Sequence, residues 1–544
     1  MLGLMQDRPL SLPHVFRRAE RYFGHKSVVS GRLDGEVTMT WAEVCARVRR
    51  LAAALDELGV PAGARVGTFA WNSHRHVELY LAVPCTGRVL HTVNHRLFGE
   101  QISYIVNDAE DDVLFVDRTI LPVVWPLIGT FATVRAVVVM DDGGEAEVPE
   151  DDRIVDYEDL IARAGEAGDT GREFAVDDEN TAAALCYTSG TTGDPKGVLY
   201  SHRAVVLHAA LLLMVDTFGI GERDVIMPIV PMFHVNAWGL PYAAMLCGAD
   251  LVLPGPGTAP ARLAALLSRH RVTFGAAVAT VWRALLPHLD RHDLSAVRQI
   301  VSGGGAVDEA LTRAYQDAIG VPLTNAWGMT ETSPVVTTSR IGTAQDGRTR
   351  EEQRALLGTP GPAVPLTEVR IVGEDGREAP WDGRARGELE VSGPTIAARY
   401  FGGRPAAEAF TADGWLRTGD VATIDRYGYL RIVDRSKDLV KSGGEWISSV
   451  ELENAIMDHP DVAEAAVIGV ADARWGERPV ACVVLRPGAE LTAEAVRGHL
   501  RSRVASWWLP DRVDFLDEIP KTATGKFSKQ RLRSRYAADG PAGS

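Results

Sequence analysis

Between about residues 40 and 335 the chain alternates short apolar runs with longer segments whose apolar positions recur at helical spacing. RVGTFA at 65–70, VLHTVN at 89–94 and DVLFVD at 112–117 read as strands, and SHRHVELYLAVPC and EQISYIVNDA as the helices between them. The rhythm returns in DVIMPIVP, ADLVLPG, TFGAAVA and VRQIVSGGG, with helices at ARLAALLSRHRV and DEALTRAYQDAI. Continuous apolar strands alternating with helices predict α/β architecture with buried, mostly parallel sheets. From about 345 the period changes to two. EVRIVGEDGRE, RGELEVSGP and GDVATIDRYGYLRIVDR alternate apolar and polar residues around turns at Glu374-Asp375-Gly376 and Arg426-Tyr427-Gly428, as antiparallel hairpins do. A third pattern follows residue 435: a helix at 449–457, strands at VAEAAVIGV and RPVACVVLR, a helix at TAEAVRGHLRSRVA and a strand at RVDFLDEIP. The final RYAADGPAGS is small and polar and is expected to fray.

At 544 residues the chain is too long for one core. Its net charge of −15 argues against nucleic-acid partners but not against a small anionic ligand held by local lysines and backbone dipoles. The five cysteines (Cys45, Cys85, Cys186, Cys247 and Cys482) are scattered and form no C-x-x-C pair, the usage of reduced core residues in a cytoplasmic protein. The first twenty residues lack a basic start followed by an apolar run, so no secretory signal is expected there. No uncharged stretch reaches the length of a membrane span, and AVVLHAALLLMV at 204–215 reads as a core helix.

The densest chemistry lies in YTSGTTGDPKG at 187–197. An apolar strand, TAAALC, leads into it and VLYSH leads out. Glycines let backbone N–H groups converge on an anion, the hydroxyls of Thr188, Ser189, Thr191 and Thr192 add donors, and Lys196 adds a mobile positive charge. The loop reads as a polyphosphate cradle; a polar surface turn is the plainer alternative. It is not a Walker A loop, which needs Gly-Lys-Ser/Thr where this chain has Pro195-Lys196-Gly197. VSGGGAV at 301–307 is not a dinucleotide fingerprint either, since the third glycine would fall at Asp308.

YTSGTTGDPKG resembles the phosphate loop of the adenylate-forming superfamily, which includes acyl-CoA synthetases, luciferases of the firefly type and peptide-synthetase adenylation domains. The resemblance runs from about residue 15 to 533, with further motifs in the family's order. It implies that Thr188, Ser189, Gly190, Thr191, Thr192, Gly193 and Lys196 bind the nucleotide, and that Gly303, Gly304, Gly305 and Ala306 run along the adenine. In NAWGMTETSP at 325–334 it implies that Asn325, Ala326, Trp327, Gly328 and Thr330 contact nucleotide, with Trp327 on the adenine. Glu331, with Thr188, would hold Mg²⁺, a hard cation suited to carboxylate and phosphate oxygen. Asn325 and Ala326 depart from the family's usual Gln and Gly. GWLRTGD at 414–420 gives Asp420, whose two oxygens can accept both ribose hydroxyls. DRSKD at 434–438 resembles the interdomain linker, with Arg435 on ribose or phosphate and Lys437 as hinge. In KSGGEWIS at 441–448, Lys441 and Trp446 would approach the nucleotide, while Gly443 and Gly444 line the path of coenzyme A. Lys526, in PKTATGKFSK at 520–529, matches the catalytic lysine.

The implied architecture is a large N-terminal region, 1–434, followed by a hinge at 435–437 and a small mobile α+β domain at 438–544. The large region would hold two doubly wound α/β subdomains to 344 and an antiparallel β subdomain from 345. PMFHVNAWGLPY at 231–242 resembles bacterial medium- and long-chain fatty acyl-CoA synthetases. There His234 would lie near the substrate carboxylate, a structural histidine being the alternative, and Trp238 would gate the acyl path. The stretch holds no acid to pair an α-amino group, and an unpaired ammonium in an apolar pocket costs several kcal/mol, so amino-acid substrates are disfavoured. No G-x-S-x-G elbow or H-E-x-x-H pair points to a hydrolase. The expected activity is ATP-dependent ligation of a fatty or related carboxylic acid to coenzyme A. The expected partners are small molecules and no nucleic acid, with peripheral membrane contact and a homodimer left open. The runner-up is an aryl or short-chain acid ligase, and a plain ATPase is the reading from another class.

Overall fold

Strands such as AVVVM at Ala136–Met140 are buried along their whole length, which only a sheet covered on both faces allows. The computed structural model describes residues 1, 3–166, 171–188, 194–305, 307, 309–403, 408–443, 445–521 and 527–538. The chain divides into two units. The first holds Met1–Thr188, Pro195–Glu368 and Ser392–Phe410; the second holds Val369–Val391 and the chain from Thr411 onward. The antiparallel sheet thus groups with the C-terminal segment in this division.

The first unit carries two sheets. One runs Ile154–Asp156, Ala136–Met140, Asp111–Asp117, Arg65–Phe69, Val89–Thr92, Ala182–Tyr187, Gly197–Ser201, parallel except for its last pair. The other runs Val335–Thr338, Leu323–Gly328, Gln299–Gly303, Phe274–Ala277, Val225–Pro228, Asp250–Leu253, Ser27–Gly31, Glu36–Thr40, parallel except at its two edges. The N-terminal hairpin therefore completes a sheet whose other strands come two hundred residues later, pairing Val29 with Val252. The two sheets share one apolar cluster, in which Val66, Leu90 and Val113 join Ile226, Leu251 and Phe274 through helices Trp41–Glu57 and His74–Cys85. Trp41–Glu57 starts at a capping box. Thr40 Oγ1 accepts the Glu43 N–H at 3.2 Å and Glu43 Oε2 accepts the Thr40 N–H at 2.7 Å, satisfying two donors that helix geometry leaves orphaned.

The second unit holds the antiparallel sheet of Glu368–Val372, Gly387–Ser392, Leu416–Ile424 and Leu430–Arg435. It also holds a five-stranded sheet built on the long hairpin Val462–Asp472 and Gly476–Leu485. Residues 535–538, the start of the stretch expected to fray, are helical, and 539–544 lie outside the described residues. A helix, Lys529–Ala538, continues through Tyr536, whose ring is buried and whose hydroxyl reaches Cys482 Sγ at 3.4 Å and Asp514. One aromatic anchor outweighs the small polar residues that suggested disorder. Cys45, Cys85, Cys186 and Cys482 are buried and Cys247 partly so, all as free thiols. Among the described residues no helix is long and apolar enough to cross a membrane.

Asp117, at the end of its strand, is fully buried. Its Oδ2 accepts the Trp71 N–H at 2.6 Å, while Oδ1 has no partner among the described residues. Burial, reinforced by the nearby Asp142 charge, pushes the carboxyl up to about 8. The folded value lies above the unfolded value of about 4, so this contribution is complete below the unfolded pKa and is lost as pH rises through 8. Asp117→Asn should flatten the fall in thermal midpoint between about pH 4 and 8. Matching midpoint-versus-pH curves for the variant and the parent would show that Asp117 does not titrate there.

Candidate functional site

Ordinary strand pairing brings the two ends of the glycine-rich loop together. Tyr187 lies opposite Gly197 in an antiparallel pair. The Thr188 N–H donates to Lys196 O at 2.9 Å, and the Lys196 N–H donates to Thr188 Oγ1 at 3.0 Å. Thr188 and Lys196 are thus the two posts of the loop. Ser189, Gly190, Thr191, Thr192 and Gly193 lie outside the described residues, as do Ala306, Gly444 and Lys526.

Two tyrosines tie these posts to the second motif. The Lys196 ammonium stands 4.9 Å over the Tyr400 ring, and the Tyr400 hydroxyl donates to Glu331 Oε1 at 2.7 Å. Burial, then the Glu331 charge, drives the Tyr400 pKa well up, so the hydroxyl stays a donor. From the strand leaving the loop, the Tyr200 hydroxyl donates to Thr330 O at 2.6 Å. The Ala397 N–H donates to Glu331 O at 2.8 Å, and Ser333 Oγ donates to Thr395 O at 2.7 Å. Thr330 and Glu331, both buried, are therefore clamped from two sides, with the Glu331 carboxylate aligned by Tyr400. Among the described residues Glu331 Oε2 has no hydrogen-bond partner, so one carboxylate oxygen remains for a cation or a ligand. No sequence motif marked Tyr200 or Tyr400. VLYSH held Tyr200 in plain view, but nothing near Tyr400 marked it, because its partner is 69 residues away.

The ends of two neighbouring parallel strands carry the next group. Gly303 pairs with Ala326 and Ser302 with Asn325, placing both motifs at the carboxyl edge of the sheet, where open α/β folds bind ligands. A Cβ on Gly303 would lie 2.8 Å from the Trp238 indole, so the glycine is what lets that ring lie against the strand. Gly328 is required for a similar reason: a Cβ there would sit 1.7 Å from Pro334 O. Gly304 has φ +76°, in the left-handed region, and Gly305 borders open space. Asn325 commits its amide nitrogen to Gly358 O at 3.1 Å, a backbone contact. Trp327, half-buried, pairs across its strand with Thr337. His234 is half-buried and its carbonyl accepts the Ala237 N–H at 3.1 Å; Trp238 is buried.

In the second unit Asp420 and Arg435 lie opposite each other on paired strands, and Arg435 Nε is 2.6 Å from Asp420 Oδ1. The segment after Arg435 is tied down on both sides. Asp434 Oδ2 accepts the Ser449 N–H and hydroxyl, both at 2.6 Å, while Arg533 reaches Asp438 Oδ1 at 2.6 Å and Lys437 O at 3.1 Å. Burial raises the Asp434 pKa against the pull of Lys529. Lys441 and Trp446 are cross-strand partners, with the ammonium 4.9 Å from the ring centroid. Gly443 has φ +62° and donates its N–H to Trp475 O at 2.7 Å, and a Cβ there would meet the Trp475 ring at 2.9 Å. The structure thus gathers Thr188, Lys196, Thr330 and Glu331 in one group and Gly303, Ala326 and Trp238 in another. Asp420 with Arg435, and Lys441 with Trp446, form pairs in the second unit.

A profile described as "AMP-binding enzyme" matches residues 15–401, and one described as "AMP-binding enzyme C-terminal domain" matches 451–526. The chain is 46% identical over 537 residues to a long-chain-fatty-acid–CoA ligase of Thermus thermophilus, covering 98% of this chain and 96% of the relative. It is 43% identical over 540 residues to a 3-methylmercaptopropionyl-CoA ligase of Ruegeria lacuscaerulensis, covering 98% and 99%. Among solved structures, the anthranilate CoA ligase AuaEII in complex with anthranoyl-AMP superposes with a TM-score of 0.85 at 28% identity, covering 98% of this chain and all of that one, 100%.

Tyr400→Phe keeps the ring under Lys196 and removes the donor to Glu331. It should lower thermal stability by roughly 1.5–3 kcal/mol, the scale of a hydrogen bond to a charged group. The same change in a Glu331→Gln background should cost less. Equal midpoint shifts in both backgrounds would show that the two side chains are not coupled.

Proposed function

The chain belongs to the AMP-binding enzyme family, the adenylate-forming ligases, and from that premise we propose that its acid substrate is a medium- or long-chain fatty acid. The activity itself is that of an acyl-CoA ligase working through an acyl-adenylate. In the first step a carboxylate oxygen attacks the α-phosphorus of ATP; an O–P bond forms and pyrophosphate leaves. In the second, the sulfur of coenzyme A attacks the acyl carbon, a C–S bond forms, AMP leaves and the thiol proton is released.

The observation that carries the assignment of roles is the group Thr188–Lys196–Tyr400–Glu331, because it joins two nucleotide motifs through one hydrogen bond and one ring contact. Lys196 would meet the outer phosphates and Thr330 the α-phosphate. The oxygens of Glu331 and Thr188 fit a hard cation, since the Glu331 carboxylate is fixed by Tyr400 through one oxygen only. Bound there, Mg²⁺ would supply charge neutralisation to the phosphates. Trp327 would stack on adenine and Asp420 would take the ribose hydroxyls in place of its present partner Arg435. Lys526 would stabilise the negative charge that gathers on the α-phosphoryl oxygens, more in the transition state than in the ground state. Lys437 would be the point about which the C-terminal segment turns between steps, and Gly443 and Gly444 would border the pantetheine. The fatty-acid reading is supported by the apolar group Trp238, Gly303 and Ala326, by the absence of any acid in 231–242 and by the long-chain relative. The methylmercaptopropionyl relative favours a second reading, a short thioether or alkyl acid.

Pyrophosphate release should be measured with acids from butyrate to stearate, with 3-methylmercaptopropionate, and with cinnamate and benzoate, each with and without coenzyme A. The fatty-acid reading expects the highest kcat/KM among medium and long chains. A maximum at the thioether acid or at an aryl acid replaces it, and acid-independent release of inorganic phosphate refutes ligase chemistry. Lys526→Ala should slow adenylation by roughly 10²–10³-fold or more, the scale for losing one preorganised charge stabiliser. It should largely spare thioester formation from supplied acyl-adenylate, and equal loss of both steps removes Lys526 from the role.

A further inference from the structure

Val235, Asn236, Ala237 and Trp238 have φ values of 46°, 51°, 50° and 57°, followed by Gly239 at 73°. Four consecutive non-glycine residues in the left-handed region is a strained arrangement, because there the Cβ of an ordinary side chain crowds the following carbonyl oxygen. Only Asn236 is at home there, because its short amide side chain tolerates the conformation. Such a run persists only where its surroundings over-determine it.

Those surroundings are specific. The approach to the run is pinned by Asn72, whose Oδ1 accepts the Met232 N–H at 2.7 Å, and by the Tyr80 hydroxyl on Met232 O. Inside the run, Asn236 Oδ1 accepts the Cys186 thiol proton at 3.2 Å. The Thr92 hydroxyl lies 3.2 Å from the same sulfur, 3.4 Å from Asn236 Oδ1 and 3.3 Å from Phe233 O. All three side chains are buried, so none of these contacts competes with water. The far end is confined too: a Cβ on Gly239 would lie 2.7 Å from His208 Nδ1, and the Trp238 ring lies against Gly303. Cys186 stands two residues before Thr188, on the strand that leads into the glycine-rich loop.

We propose that Asn236 is a positioning residue for the acid site: latched by Cys186 and Thr92, it holds the left-handed run and thereby sets where the Trp238 ring lies. The inference rests on the ligase reading given above for what Trp238 faces.

Two measurements test it. The first is independent of turnover. Asn236→Gly tolerates the left-handed backbone and Asn236→Ala does not, so the glycine variant should have the higher thermal midpoint, against the usual penalty for glycine. The opposite order overturns the proposal. The second is kinetic. Cys186→Ala and the near-isosteric Thr92→Val should each raise the KM for the acid roughly threefold to tenfold, the scale of one lost hydrogen bond, with the KM for ATP within about twofold of the parent. Cys186→Ser, which keeps a donor, should restore the acid KM. Parallel shifts in both KM values, or a serine variant as impaired as the alanine one, reduce the contact to packing and overturn the proposal. A parent enzyme inactive on every acid would overturn the ligase reading instead, while the stability order would still decide whether position 236 holds the left-handed run.

Discussion

The buried end of a parallel sheet leaves backbone groups that no neighbouring strand can satisfy, and Asn72 meets that need at the centre of the first unit. Its amide nitrogen donates to Pro228 O at 2.8 Å and Val230 O at 2.9 Å, and its oxygen accepts the Met232 N–H at 2.7 Å. Three backbone groups of one sheet's exit are thus answered by one side chain that precedes the helix of the other sheet. Removing it would strand several polar groups in a dry seam, at about 1–3 kcal/mol each. Trp41 makes a second such tie, its indole N–H donating to Ala249 O at 3.1 Å. These ties decide how two sheets sharing one apolar cluster are indexed to each other, which the cluster alone, being non-directional, would not do.

That indexing places the chemistry. The Glu331 carboxylate is held without an arginine or lysine salt bridge among the described residues; a phenol aligns it and a cation–ring contact lies beyond. The hydrogen bond from Tyr400 fixes the orientation of this carboxylate through one oxygen. In the second unit the opposite choice is made: Asp420 has the Arg435 guanidinium at 2.6 Å, an ion pair formed across two neighbouring strands.

Much of this was legible in the chain. The apolar runs gave many strands of both parallel sheets because continuous burial writes itself into consecutive residues, though not Ala136–Met140 or the hairpin Ser27–Gly31 and Glu36–Thr40, and the change of period near 345 marked the antiparallel hairpins. Thr188, Lys196, Thr330 and Glu331 were named from strings a few residues long. The residues that connect them were not, since Tyr400 and Tyr200 act on partners 69 and 130 residues away and look like any core tyrosine. Nor did composition announce the left-handed run, because valine, alanine and tryptophan disfavour it and only tertiary contacts impose it. The helix through Tyr536 was hidden for the same reason, a single buried ring deciding against its local surroundings.

The ties around Lys437 carry one more implication. Asp434, before it, grips Ser449, after it, through two short bonds to one oxygen, and Arg533 spans Lys437 and Asp438. Loosening this segment would surrender these contacts together, since each depends on the same few atoms staying in register. Contacts shared among so few atoms hold or fail together, so this stretch opens as a single cooperative unit and not residue by residue.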